Sequence, residues 1–175
     1  MAIYVAGWRE EALAQLVKEY KYQAVWANTQ PLTELLDSHI PHLPVTDDII
    51  VVPLPTIGRH VRERGIDHTL KLAKALAKRR GWKCRQLLVR AKDTVQVGAK
   101  AAERQTQAEG AYEAIGTVEP GATYLLLDDI WTTGASLMAA GKAMQAAGAQ
   151  KLLAAVLAIG KPKVVEAGTP DTKQK

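Results

Sequence analysis

The chain of 175 residues is long enough for one substantial α/β core and too short for two ordinary domains. Apolar residues make up 47% of it, which argues against extensive disorder, and it has no apolar run of about 18 residues that could form a transmembrane helix. Residues 1–5 lack the features of a secretory signal. A single cysteine, Cys84, excludes an internal disulfide and a multi-cysteine zinc site. We therefore expect a cytoplasmic protein without membrane insertion.

The net charge of +5 is unevenly distributed along the chain. Residues 59–104 contain 14 Lys or Arg and four acids, whereas the remainder carries nine bases and 14 acids. Such a concentrated positive region suits an anionic ligand, either a polyphosphate or a nucleic acid. The alternative is an ordinary solvated helix face, which is the better explanation for Lys71, Lys74 and Lys78.

The first forty residues have the apolar spacing of helices. The first predicted helix buries residues at i, i+3, i+4 and i+7, which are Leu13, Leu16, Val17 and Tyr20. A second predicted helix begins near Pro31 and buries Leu32, Leu35 and Leu36. Two prolines, Pro41 and Pro44, follow closely, and they cannot lie inside a continuing helix.

Short apolar strands alternate with helices from residue 49 onward. The predicted strands are residues 49–52, 86–89, 123–127 and 152–159, with residues 111–115 as a further candidate. The predicted helices are residues 67–80 and 134–147, which end at Gly81 and Gly148. This alternation predicts an α/β fold in which helices cover both faces of a mostly parallel sheet.

We expect a single domain across residues 1–160. A helical region of residues 1–44 precedes an α/β core of residues 45–160. The segment from Arg90 to Glu109 is polar and has no clean period, so we expect a long, mobile functional loop. Residues 161–175 contain two prolines and several charges, which indicates a flexible tail.

The most informative segment runs from Tyr124 to Leu137. A buried apolar strand delivers two adjacent acids, Asp128 and Asp129, and a turn then opens into a helix. The turn contains, in order, Thr132, Thr133, Gly134, Ala135 and Ser136. Its backbone N–H groups, hydroxyls and helix dipole suit a phosphate. The acids would repel that phosphate, so we expect them to face vicinal ribose hydroxyls. Helix capping explains one Asp or Thr, but not this whole set.

This segment resembles the motif with which type I phosphoribosyltransferases bind 5-phosphoribosyl 1-pyrophosphate (PRPP), across about thirteen positions. The resemblance implies the α/β fold of those enzymes, with a small N-terminal helical hood and a flexible loop. It implies that Asp128 and Asp129 are catalytic residues at the ribose. It also implies that residues 132–136 bind the 5′-phosphate.

Further segments, in order along the chain, resemble the ComF family, which is associated with competence and DNA uptake in bacteria. They are Tyr20–Tyr22, Val52–Pro55, Arg62–His68 and Thr94–Arg104. The chain departs from the family at Ile66–His68, where Phe-Asn-Gln is usual, and at Gln105–Gln107. It also lacks the N-terminal four-cysteine zinc module that many members carry. The resemblance implies a phosphoribosyltransferase whose acceptor the sequence does not identify.

The same resemblance implies which residues bind pyrophosphate, the leaving group of the reaction. The residues implied to bind pyrophosphate are Thr56, Arg59, Arg62, Arg64 and Lys92, and Arg104 of the loop is implied to be catalytic. Each cation could instead be a solvent-exposed side chain. Mg²⁺ is implied as a cofactor that arrives with PRPP, with Asp128 and Asp129 as its potential protein ligands.

A non-catalytic PRPP or nucleotide sensor is the alternative function. It would contact single-stranded DNA or a DNA-uptake helicase through Arg79, Arg80, Lys83 and Arg85. A scaffold that has lost ligand binding is disfavoured because the phosphate turn is intact. We also expect a homodimer, and Trp131 within the turn could stack on a substrate.

Overall fold

The computed structural model describes residues 1–7, 11–22, 26–41, 43, 48–56, 61, 67–91 and 111–160. The strands in these ranges are β1 (Ala2–Val5), β2 (Ile49–Pro53), β3 (Lys83–Cys84), β4 (Leu88–Arg90), β5 (Tyr112–Ala114), β6 (Thr123–Trp131) and β7 (Lys151–Ile159). Five of them form a parallel sheet in the order β1-β7-β6-β2-β3. The other two, β4 and β5, form an antiparallel pair.

The helices are α1 (Glu11–Tyr22), α2 (Thr29–His39), α3 (His68–Arg80) and α4 (Ala135–Ala146), with a short 3-10 helix at Trp26–Asn28. Both ends of α3 follow from local chemistry. The Asp67 carboxylate accepts the Leu70 N–H at 3.0 Å, and Gly81 ends the helix in a left-handed conformation with φ of 69°. In the described part of the chain, no helix is long and apolar enough to cross a bilayer.

Alternating side chains of the central strands divide the core between the two faces of the sheet. On one face, Val51 and Leu125 pack in a cluster with residues of α1, α2 and α3. On the other face, Val52 and Leu126 pack with residues of α4 and of the β4–β5 pair. The predicted α/β fold, with helices on both faces of a parallel sheet, is therefore confirmed.

The prediction that the first forty residues are helical is wrong at Ala2–Val5, which form the edge strand β1. Ile3, Tyr4 and Val5 have the β-branched or aromatic side chains that favour strands. The strand pairs in parallel with β7, from Ala2 opposite Leu153 to Val5 opposite Val156. Such pairing is a long-range contact that a short N-terminal sequence does not encode by itself. The helices α1 and α2 confirm the remaining prediction for this region.

The strand predicted at residues 86–89 exists only in part, as β4, and it pairs with β5 rather than joining the sheet. The edge of the sheet is instead β3, whose two residues are too few to show a period. The candidate strand at 111–115 is confirmed as β5. Most of the predicted long loop, residues 92–110, lies outside the described residues, and so does the predicted tail of residues 161–175.

Candidate active site at the carboxyl ends of β2 and β6

Strand β6 continues past its predicted end at Leu127. Asp128, Ile130 and Trp131 pair with Val156, Ala158 and Ile159 of β7, so both acids lie within the strand. Successive side chains of a strand point to opposite faces, and the two neighbouring carboxylates therefore diverge. Asp129 points toward α3, whereas Asp128 points toward the start of α4.

Asp129 is 8% exposed and is bound by α3. Its Oδ2 atom lies 2.5 Å from Nε2 of His68, a side chain that is also buried. Tyr20 of α1 donates its hydroxyl to the backbone carbonyl of His68 at 2.9 Å, and its ring meets the imidazole edge-on. Burial raises the pKa of Tyr20 to about 12, so this hydroxyl keeps its proton. Helix α3 thus contacts Asp129 directly through His68, and helix α1 supports that contact through Tyr20.

Asp128 lines a shallow depression together with the turn that follows β6. Trp131, Thr132, Gly134 and Ser136 line the same depression. Asp128 is half-buried, and its Oδ1 atom accepts the backbone N–H of Asp129 at 2.8 Å. One carboxylate and two hydroxyl-bearing residues therefore face a single small space at the carboxyl edge of the sheet, where ligands bind in open α/β folds.

The turn from Thr132 to Ser136 leads directly into α4. Gly134 is the N-cap residue, with φ of 77°, and it has no side chain with which to cap the helix. Thr133 Oγ1 lies 3.4 Å from the Ala135 nitrogen, which is a long contact. Thr132, Thr133, Ala135 and Ser136 are exposed. An anion at this helix end would meet backbone donors, hydroxyls and the positive end of the dipole.

Trp131, which could stack on a substrate, packs against the turn itself. A Cβ atom on Gly134 would lie within 2.8 Å of Cε2 of the Trp131 ring, so the indole covers this glycine closely. The ring is half-buried and belongs to the cluster on the α4 side of the sheet. Trp131 is therefore a wall of the depression, and its stacking on a substrate stays a prediction.

The predicted pyrophosphate residues fall mostly outside the described residues, as Arg59, Arg62, Arg64 and Lys92 all do, and so does Arg104. Thr56 is described, just past the carboxyl end of β2. Its hydroxyl donates to Asp67 Oδ1 at 3.0 Å, the same oxygen that caps α3. Asp67 and His68 stand where the ComF resemblance fails, and each has a structural partner here.

Arg90 and Tyr112 flank the undescribed segment 92–110 and were not predicted as site residues. The Arg90 guanidinium donates to the Pro55 carbonyl and to the Tyr112 hydroxyl, both at 3.1 Å, and lies over the Tyr112 ring. Burial raises the pKa of Tyr112, and Ser136 and Asp128 are near enough to influence it as well. Tyr112, with the Arg90 guanidinium bound to its hydroxyl, thus lies beside the phosphate turn. The only indication in the sequence that these two residues belong to the site was their position on either side of the predicted loop.

The four cations proposed to contact DNA all pair with acids. Arg79 and Arg80 bind Asp37, Lys83 binds Asp48 at 2.8 Å, and Arg85 binds Glu119 at 2.7 Å. These pairs lie at the amino ends of the strands, since Asp48 precedes β2 and Glu119 precedes β6. The cluster is therefore at the opposite edge of the sheet from Asp128, and its positive charge is largely compensated.

No family model matches the sequence, and no curated protein matches it. Among solved structures, the allosteric regulatory enzyme of purine biosynthesis is similar with a TM-score of 0.52 and 17% identity, over 80% of this chain and 30% of that chain. Glutamine PRPP amidotransferase from B. subtilis, complexed with ADP and GMP, has a TM-score of 0.50 and 15% identity over the same shares. A hypoxanthine phosphoribosyltransferase from Staphylococcus aureus has a TM-score of 0.41 and 13% identity, over 87% and 74% of the two chains.

These likenesses concern the fold. The chain spans about 30% of the length of the first two proteins. Its five-stranded parallel sheet with helices on both faces is the α/β fold of type I phosphoribosyltransferases. Within that fold, the depression lies at the carboxyl end of a central strand and at the amino end of the following helix.

Proposed function

We propose that this chain binds PRPP in the depression beside α4 and transfers its phosphoribosyl group to an acceptor. One observation carries the proposal: the Asp128 carboxylate and a helix N-terminus without a side-chain cap face the same depression. PRPP presents a phosphate and a vicinal diol about one sugar ring apart. A helix N-terminus recognises the first, and a carboxylate recognises the second.

Each part of PRPP then has a partner in the chain. The 5′-phosphate accepts hydrogen bonds from the N–H groups at the start of α4 and from the exposed hydroxyls of Thr132, Thr133 and Ser136. One ribose hydroxyl is proposed to donate to Asp128 in the depression, and the other to Asp129 on the α3 side of the same strand. The pyrophosphate extends toward Thr56 at the end of β2, with Arg59, Arg62, Arg64 and Lys92 as its proposed cationic partners.

The proposed reaction takes place at the anomeric carbon of the ribose. The bond from this carbon to the pyrophosphate oxygen breaks and pyrophosphate leaves with the electron pair, while an acceptor lone pair forms the new bond and the acceptor proton passes to solvent. Arg104 is proposed to stabilise the developing charge on the leaving group. The other charged groups near the ribose, Asp128 and Asp129, favour the cationic character that develops on the sugar.

Mg²⁺ is the proposed cofactor, and it would neutralise charge on the pyrophosphate. The residues in the depression fit this ion, since Asp128 and the neighbouring hydroxyls supply oxygen donors only. Asp128 is the better placed of the two acids to hold it, because one Asp129 oxygen already binds His68. In the described part of the chain, no three His, Cys, Asp or Glu side chains group as metal ligands.

The proposed role is that of a ComF-type protein, and this part of the proposal rests on the sequence segments around the PRPP motif. It includes a connection with DNA uptake, a cytoplasmic location and a homodimer, all of which stay predictions. The acceptor is unassigned. A screen of nucleobases and amines for pyrophosphate release from PRPP would identify its chemical class.

Calorimetry of PRPP binding in the presence of Mg²⁺ tests the binding step. We expect the wild type to bind and Asp128→Asn to bind about tenfold to a hundredfold more weakly, since it loses a charge-assisted hydrogen bond to the ribose. Asp48→Asn is the matched control, because it removes the same charge at the opposite edge of the sheet. Equal affinity of Asp128→Asn and Asp48→Asn for PRPP would contradict the proposal.

A further inference from the structure

Among the described residues at the carboxyl edge, His68 and Asp129 form a deeply buried contact between ionisable side chains. His68 is 7% exposed and Asp129 is 8% exposed, and the 2.5 Å between Nε2 of His68 and Oδ2 of Asp129 is shorter than an ordinary N–H···O hydrogen bond. The other ring nitrogen, Nδ1 of His68, is buried and has no hydrogen-bond partner among the described residues. A proton on Nε2 therefore satisfies the contact with Asp129, because a proton on Nδ1 would add a buried donor without an acceptor.

The contact with His68 helps to orient the Asp129 carboxylate. A buried carboxylate that loses a hydrogen-bond donor must rotate toward another donor or take up a proton. The backbone of Asp129 is also linked to Asp128, whose Oδ1 accepts the Asp129 N–H at 2.8 Å. A displacement of the Asp129 backbone would therefore also affect the carboxylate that lines the depression.

His68 is itself held in place by two other contacts. It is the first residue of α3, directly after the Asp67 cap that also accepts the Thr56 hydroxyl. Tyr20 donates to its backbone carbonyl at 2.9 Å, and the two rings meet at an angle of 89°. The imidazole is therefore fixed from the N-terminal helix α1 as well as from α3.

We propose that His68 is a positioning residue for the ribose-binding carboxylates, acting through Asp129 and held by Tyr20. This inference rests on the proposed function, since it takes Asp129 to face the ribose of PRPP. His68 does not contact the ligand. Its effect on binding is therefore confined to ligands that contain the ribose, whereas the phosphate turn, built from β6 and α4 alone, binds inorganic phosphate independently of it.

The test compares three ligands, namely PRPP with Mg²⁺, ribose 5-phosphate and inorganic phosphate, by calorimetry and phosphorus NMR titration. We expect His68→Met, which keeps the length of the side chain but removes the donor, to weaken PRPP and ribose 5-phosphate binding about tenfold or more. Phosphate binding should stay within about twofold of the wild type. His68→Gln retains an N–H donor and should bind PRPP within about threefold of the wild type.

His39→Met is the matched control, since this exposed histidine lies at the end of α2 and, among the described residues, hydrogen-bonds with Ser38 and Leu35. Unchanged PRPP binding by His68→Met would overturn the inference while the proposed function stands. Equal weakening of all three ligands would overturn it too, because that pattern indicates a general structural defect. If His68→Met does not fold, the test rests on His68→Gln. A loss of about tenfold or more in the affinity of that variant for PRPP would then overturn the inference. A wild type that does not bind PRPP would remove the proposed function and this inference together.

Discussion

Gly134 meets two separate structural demands in the phosphate turn. Its φ of 77° lies in the left-handed region, which costs an L side chain about 1–2 kcal/mol. Its Cα also lies directly under the Trp131 ring, where a Cβ would overlap the indole. Glycine is therefore required by the backbone conformation and by the close approach of the ring.

Gly134→Ala should accordingly do more damage than backbone strain alone. We expect it to displace Trp131, to lower the free energy of unfolding by about 2–4 kcal/mol and to weaken PRPP binding. Gly81→Ala is the control, since Gly81 has φ of 69° and open space around its Cα. That variant should lose about 1–2 kcal/mol and keep its affinity for PRPP. Urea unfolding and calorimetry of both variants measure these effects, and equal losses in the two variants would contradict the role given to the ring.

The residues of the turn were predictable because they are contiguous, so that strand, acids, hydroxyls and glycine appear in one window of sequence. His68 was not predictable as a partner of Asp129, because the two residues are 61 positions apart and meet only when α3 packs on the sheet. Tyr112 was missed for the same reason. The departure from the ComF pattern at Ile66–His68 was the one sequence signal that pointed to this region.

At the level of elements, Asp37 links helices α2 and α3 at the amino edge of the sheet. Burial tends to raise the pKa of this carboxyl, but hydrogen bonds from Arg80 and Arg79 outweigh it and hold the pKa below its usual range. Arg80 also donates to the carbonyls of Asp37 and Ile40, both at 2.8 Å. It therefore satisfies carbonyls at the end of α2.

Asp37→Asn should make the stability of the protein less sensitive to acid. The folded pKa of Asp37 is below the unfolded value, so its contribution is complete above about pH 4 and is lost as the pH falls through the folded pKa. We expect the wild type to exceed Asp37→Asn by about 1–2 kcal/mol at pH 7 and by progressively less toward pH 2. Urea unfolding of both proteins between pH 7 and pH 2 gives the difference. A difference independent of pH would exclude this linkage.

Elements with a long apolar period were predicted well, whereas strand ends were not. The helix α3 has both a cap and a glycine stop in its sequence, and its predicted bounds agree with the structure. The end of β6 depends on pairing with β7, which extends the strand to Trp131 through two acids that disfavour strands. β1 likewise depends on β7, and β3 is too short to show any pattern.

For the molecule as a whole, the parallel arrangement of the sheet separates two kinds of charge. All five strands have their carboxyl ends at one edge, where Asp128, Asp129 and the phosphate turn lie. At the other edge lie four cations that pair with acids, namely Arg79, Arg80, Lys83 and Arg85. The charge of these four described cations is therefore compensated by acids at the amino edge, which favours a structural role for them over DNA binding.

A crystal structure of the complex with PRPP and Mg²⁺ tests the account most directly. We expect 5′-phosphate oxygens about 3 Å from the backbone nitrogens at the start of α4, and ribose hydroxyls at hydrogen-bond distance from Asp128. Asp129 should keep its contact with His68 in that complex. PRPP bound at the amino edge beside Arg79 and Lys83, or an empty phosphate turn at saturating ligand, would contradict the account.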